Sequence, residues 1–145
     1  MWLFRGILAG LVAGLGMGLV SLAINGLGLS KSNLMLIDGG FLTKTLKRDA
    51  SRMVVYVLGG IVHALTSITF GIGYVIIARV AGFKAGSLAT VAIYVFGLWL
   101  AMLFTALPVA GQGVMGNKLG RFVWAEQLFL HFVYATIFWW MLRLM

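Results

Sequence analysis

His63 and His131 are the only imidazoles in this chain of 145 residues, and each lies about ten residues inside a long apolar run. At about 1.5 Å of rise per helical residue, both sit roughly 15 Å deep from the same side. An ionisable side chain at such depth marks a candidate functional site. Two histidines from two helices at one level have the pattern of axial ligands to a b-type haem or another tetrapyrrole. Arg52, Lys118 and Arg121 would then be the cationic partners of its propionates. The competing readings are that each imidazole bonds a neighbouring helix, with Gln127 or Ser67 as orienting groups, or that the pair serves proton or quinone chemistry. Glu126, one turn into the last apolar run, is expected to form an ion pair with Lys118 or Arg121 near a helix start.

Other chemistries fail on count. Three carboxylates are too few for a divalent-metal cage or a paired acid–base site, and without cysteine there is no thiolate ligand, disulfide or cysteine nucleophile. No metal beyond haem iron is expected. HExxH, GxSxG and a phosphate loop are all missing.

The elements that must position these groups follow from composition. Hydrophobic residues make up 62% of the chain and charged residues 10%, where about 25% is ordinary for a globular protein. A chain of this length lacks the interior to bury so much apolar surface, so its solvent is lipid. Four apolar segments, about residues 4–26, 52–78, 85–107 and 121–143, reach the roughly 18 residues of a membrane helix. Pro108 closes the third. The first exceeds the roughly 7–15 apolar residues of a signal peptide and is expected to stay. The fold expected is therefore a single all-α domain, an integral membrane four-helix transmembrane bundle with both termini on one side.

A net charge of +8 is read as flanks of membrane spans, with no nucleic-acid partner. Connections 1–2 and 3–4 carry Lys31, Lys44, Lys47, Arg48, Arg52, Lys118 and Arg121; the other side carries Arg5, Arg79, Lys84 and Arg143. The imbalance places the first group in the cytoplasm. Trp2, Tyr74, Trp139 and Trp140 on one side, with Tyr56 and Trp124 on the other, are expected to be interfacial anchors. Residues 33–49 read as an interfacial segment, partly helical, with Gly39 and Gly40 as breakers.

Glycines recur every fourth residue at Gly6, Gly10, Gly14 and Gly18. In lipid, helices are held by close van der Waals contact, so such a ridge predicts a packing face. Gly59, Ser67 and Gly71, on the ridge of His63, are its internal candidate partner; a second subunit or a pigment face is the alternative. Bulk is expected to be tolerated better at Gly6, the end of the ridge, than at Gly14, its centre.

The order "RGILAGLVAG" with a following methionine, "HALTSITFGIGYVI", "LPVAGQGV" and a late "HFVY" resembles a group of small bacterial four-span membrane proteins of unknown function. Ala135, Phe138 and Trp139 depart from it, standing where glycine is expected. The resemblance implies a four-helix membrane protein and supplies no activity.

The leading expectation is a non-catalytic small subunit packed into a larger respiratory or photosynthetic complex of a bacterial inner membrane, in contact with lipid and other membrane subunits. The alternatives are a bis-histidine haem carrier or membrane anchor and, third, a small transporter or proton-conducting protein.

Overall fold

The glycine ridge is a helix-packing face. The computed structural model describes residues 1–145 and holds five helices and no strand: α1 Trp2–Gly26, α2 Leu34–Thr45, α3 Arg52–Ala81, α4 Leu88–Val109 and α5 Val123–Leu144. Along α1, Gly6 and Gly10 face Gly71 of α3, Gly10 and Gly14 face Ser67, and Gly14 and Gly18 approach His63. Successive contacts step backward by four along α3, so the two helices run antiparallel in a seam without large side chains. Gly59 lies outside this seam, against the Met35 carbonyl of α2. Gly6 has no advantage as the end of the ridge. A Cβ there would stand 2.7 Å from both the Gly71 carbonyl oxygen and Val75 Cγ2, whereas at Gly14 the obstacle is only the Ser67 side chain.

Three helices, α1, α3 and α4, are long and apolar enough to cross a membrane, where the apolar runs predict four. The exception is α5. Its 22 residues suffice in length, but Glu126, Gln127, His131 and Arg143 dilute its apolar content. It buries a stripe of Gln127, Leu130, His131, Tyr134, Phe138 and Leu142, spaced three and four apart as a packed helix face requires. Ala9, Ala13 and Met17 of α1 share one core with that stripe. Both termini lie at one end, because Trp2 and Leu142 line the same small cavity.

The first connection carries a full helix packed against α3. Asn33 caps α2, accepting from the Leu36 N–H at 3.3 Å, and the helix runs through both Gly39 and Gly40. Leu34, Met35, Ile37, Gly39 and Thr43 are buried. Gly39 sits on the Val55 carbonyl, as Gly59 sits on that of Met35, so these glycines permit a backbone-to-backbone approach of α2 to α3. Ile37 also joins Trp99, Leu103, Leu107 and Val123 in a second core cluster at this end.

α4 does not stop at Pro108. A π-helical turn, Met102–Ala106, precedes the proline, and the Leu107 N–H reaches back five residues to the Met102 carbonyl. The wider turn re-routes the ladder next to a residue that cannot donate to it, and the helix continues to Val109. Tyr74 is no interfacial anchor either. It is fully buried, packs at 5.2 Å on Tyr94, and its hydroxyl lies 2.8 Å from the Ala85 carbonyl and 2.9 Å from Thr90 Oγ1. With the Tyr94 hydroxyl donating to the Phe70 carbonyl at 2.8 Å, it pins α3 to α4 beside their connection. Away from that pin, α3 packs on α1 and α2 while α4 packs on α5, and a cleft lies between α3 and α4.

Candidate functional site

The cleft is a cavity of about 280 Å³. α3 contributes Val62, His63, Thr66, Ser67 and Phe70, and α4 contributes Leu98, Ala101, Met102, Thr105 and Ala106. Leu34, Asp38 and Phe41 of α2 close one end, and Met17, His131 and Tyr134 form the back wall. The π turn thus widens α4 where it lines the cavity, a location where such turns commonly serve function.

His63 has a partner on each ring nitrogen. Nδ1 lies 2.9 Å from Asp38 Oδ2 and Nε2 lies 3.0 Å from the Gly14 carbonyl oxygen. A carbonyl only accepts, so Nε2 carries a proton. The remaining proton lies between Nδ1 and the carboxyl oxygen, which makes the pair either imidazolium–carboxylate or imidazole–carboxylic acid. In both forms its net charge is zero, which suits a site where an isolated charge is costly to bury. It is the only ion pair in the structure. The absence of a side chain at Gly14 lets Ser67 of α3 come close to α1, which brings His63, one turn before it, within reach of the Gly14 carbonyl.

His131 is arranged differently. Its Nδ1 donates to the Gln127 carbonyl one turn back, at 2.8 Å, so the backbone and not the Gln127 side chain orients it. Nε2 is therefore the acceptor nitrogen, and no protein donor reaches it. The Tyr134 hydroxyl, one turn on, points to the Ser67 carbonyl at 3.4 Å.

The structure thus brings His63 and His131 to one cavity, but not as a haem site. Bis-histidine ligation needs a free nitrogen from each imidazole, and both nitrogens of His63 are engaged. Arg52, Lys118 and Arg121 are exposed and none lines the cavity; the Arg121 guanidinium lies over the Phe122 ring instead, at 5.7 Å. The residues present do not fit the group.

Glu126 has no cationic partner. Its Oε2 accepts from Ser32 Oγ at 2.7 Å and Ser30 Oγ at 2.8 Å, and the Ser32 and Lys31 N–H groups add bonds of 3.1 and 3.2 Å. The Ser30–Lys31–Ser32 turn wraps the carboxylate with hydroxyl and backbone donors, and a capped anion of this kind needs no salt bridge. Gln127 Nε2 extends the network to Ser32 Oγ at 3.0 Å. The network ties the start of α5 to the turn after α1. Glu126→Ala removes four hydrogen bonds. The Ser32 N–H keeps Ser30 Oγ and the Ser30 hydroxyl keeps the Ser32 carbonyl, but the Ser32 hydroxyl and the Lys31 N–H lose their acceptor, which should cost on the order of 2 kcal/mol. Lys118→Ala and Arg121→Ala should each stay within about 0.5 kcal/mol. Thermal unfolding in detergent checks the contrast; equal losses for Glu126→Ala and Arg121→Ala would restore the ion pair.

Asp38 and the two serines join the site only in three dimensions. The signal for Asp38 is the single acid inside the apolar run "LMLIDGGF", which needs a buried partner once the run is a packed helix. Compared with models of protein families, with curated proteins and with solved structures, the chain matches none.

Proposed function

We propose that the protein is a non-catalytic integral-membrane protein of four crossing helices, and that it holds a lipid-phase molecule with a hydroxyl-bearing head in the cleft between α3 and α4. The observation that supports this is the cleft itself: an apolar cavity between two helices that part below their tyrosine pin, with one unpartnered imidazole nitrogen on its back wall. α5 serves as the fourth crossing because Gln127 and His131 turn inward, while Leu128, Phe129, Phe132 and Trp140 are exposed. The termini lie together at the less basic end, so the connections carrying seven cations face the cytoplasm.

A molecule dissolved in the bilayer enters such a cleft sideways without leaving hydrocarbon. Its chain meets Phe70, Leu98 and Met102, and its head meets acceptors. His131 Nε2 can only accept, and the carboxyl of Asp38 has an oxygen to spare beside His63. The complement is a donor, so an alcohol or phenol fits better than a ketone or ether. The reading as a subunit of a larger complex draws no support from the glycine faces, since Gly6, Gly10, Gly14, Gly39, Gly59 and Gly71 all meet backbone or small side chains of this chain.

Geranylgeraniol and its methyl ether test the proposal, because the ether keeps the chain and loses the donor. The alcohol should raise the unfolding temperature of the detergent-solubilised protein more than the ether does. Ala101→Trp, at an exposed cavity-lining position, should abolish both shifts, and His131→Phe should abolish the difference between them. Shifts that survive Ala101→Trp would place the ligand elsewhere and overturn the assignment.

A further inference from the structure

A second cavity, of about 170 Å³, lies at the end of the bundle that carries both termini. Arg5, Arg79 and Trp2 line it together with apolar side chains that include Val75, Phe83 and Leu142. Its floor is apolar, and its cationic groups are Arg5, in the first turns of α1, and Arg79, in the last turn of α3. The Arg79 guanidinium is held over the Trp2 ring, 4.9 Å from its centroid, a geometry that fixes its plane. Neither arginine has a carboxylate partner, since the one ion pair of the chain is His63–Asp38. Arg5, Arg79, Lys84 and Arg143 share this end, while Asp38, Asp49 and Glu126, the only acidic side chains, belong to α2, the turn before α3 and the start of α5, at the other. The first turn of α1 has no acidic residue and no side-chain cap, so the positive end of its dipole adds to the same field.

A place in the last turn of a helix explains Arg79 alone, as a cation suited to a helix C-terminus. It does not explain why a second arginine from another helix shares the cavity, nor why the cavity continues into apolar wall. Two guanidinium forks above an apolar floor match a phosphate diester with a glycerol and acyl chain below it. A phosphate that carries an ammonium head would find no acidic side chain at this end to receive the ammonium.

We propose that Arg5 and Arg79, with Trp2, bind the phosphate of one anionic glycerophospholipid at the end of the bundle where both termini lie. The site rests on the placement of the bundle in a membrane but not on the occupant of the α3–α4 cleft.

The test uses the full chain in a mild detergent, with retained lipid read by native mass spectrometry as phosphatidylglycerol, phosphatidylcholine or inorganic phosphate is added. One phosphatidylglycerol per chain should bind, and Arg5→Gln/Arg79→Gln should weaken it about tenfold, the scale expected when two bidentate guanidinium forks are removed. Arg5→Lys/Arg79→Lys, which keeps the charge and loses the fork, should fall between. Arg52→Gln/Arg121→Gln, at the opposite end, should leave binding within about twofold, since exposed distant charges are screened. Ala101→Trp should also retain it, which separates this site from the cleft. Equal weakening by the Arg52/Arg121 pair, or phosphatidylcholine binding as tightly as phosphatidylglycerol, would overturn the proposal. So would inorganic phosphate saturating the site at the concentration that phosphatidylglycerol requires, because the source would then be free anion and not lipid.

Discussion

Gly10→Leu should abolish the folded bundle. A Cβ at Gly10 falls onto the Ser67 carbonyl oxygen and stands 3.1 Å from Gly71 Cα. Both obstacles are backbone, so no rotamer change relieves them. Overpacking of an ordinary core costs about 1–3 kcal/mol when side chains can shift. Here the two helices must separate along their whole seam, and the His63–Gly14 bond goes with it. Against a net stability of about 5–15 kcal/mol, a monodisperse detergent-solubilised species should not be recovered. Gly97→Leu is the control, because nothing lies within 4 Å of a Cβ there, and it should behave as wild type. Gly14 makes a sharper test. Its obstacle is the Ser67 side chain, so Gly14→Ala should destabilise and Ser67→Gly should rescue it, while Ser67→Gly should not rescue Gly10→Leu. Normal yield and unfolding temperature for Gly10→Leu would mean that α1 and α3 are not packed through this ridge.

Removing one member of the His63–Asp38 pair should cost more than removing both. Their side chains are 10% and 15% exposed. His63→Leu leaves a carboxylate with little solvent and no partner, and losses of about 3–5 kcal/mol follow when one partner of a buried pair is deleted. Asp38→Leu leaves His63 Nδ1 without a partner and should also be costly. In His63→Leu/Asp38→Leu no charge remains to be desolvated, so the double variant should be more stable than the sum of the singles by about 1–3 kcal/mol, the range of coupling for contacting residues. Asp38→Asn should be the mildest change. An amide N–H can donate to Nδ1 while Nε2–H still serves the Gly14 carbonyl, so both bonds survive with no shared proton. Unfolding by denaturant in micelles measures the cycle. Additive losses would show that the two side chains do not act as a unit.

Much of this architecture is readable from periodicity. The glycines of α1 at intervals of four, and Ser67 and Gly71 at the same interval on α3, give the width and face of the seam without coordinates. Helix limits follow from the apolar runs to within a few residues, as α3 at Arg52–Ala81 shows against an expected 52–78. The segment before it reads as only partly helical because Gly39 and Gly40 look like breakers. In water they would be, yet against another backbone their missing side chains are what permit the helix to pack. Pro108 does mark the end of α4 to within two residues, at Val109, and what the sequence does not show is the π turn before it.

The candidate site divides along the same line. That His63 and His131 share a depth follows from counting residues at about 1.5 Å each, a one-dimensional property of two parallel segments. Which nitrogen of each ring is free does not follow, because it depends on groups distant in sequence: Gly14 lies 49 positions from His63 and Asp38 lies 25. Glu126 shows the same limit, with acceptor bonds from Ser30 and Ser32 that lie 96 and 94 positions away. Local composition and spacing determined the helices, their apolar character and the small-residue face, because these depend on neighbours within a turn or two. The tertiary structure decided that α3 and α4 part to leave a cleft, that His63 is committed while His131 keeps a free nitrogen, and that Arg5 and Arg79 line one cavity. Each of those depends on how helices cross, and close contact between backbones is set by both partners at once.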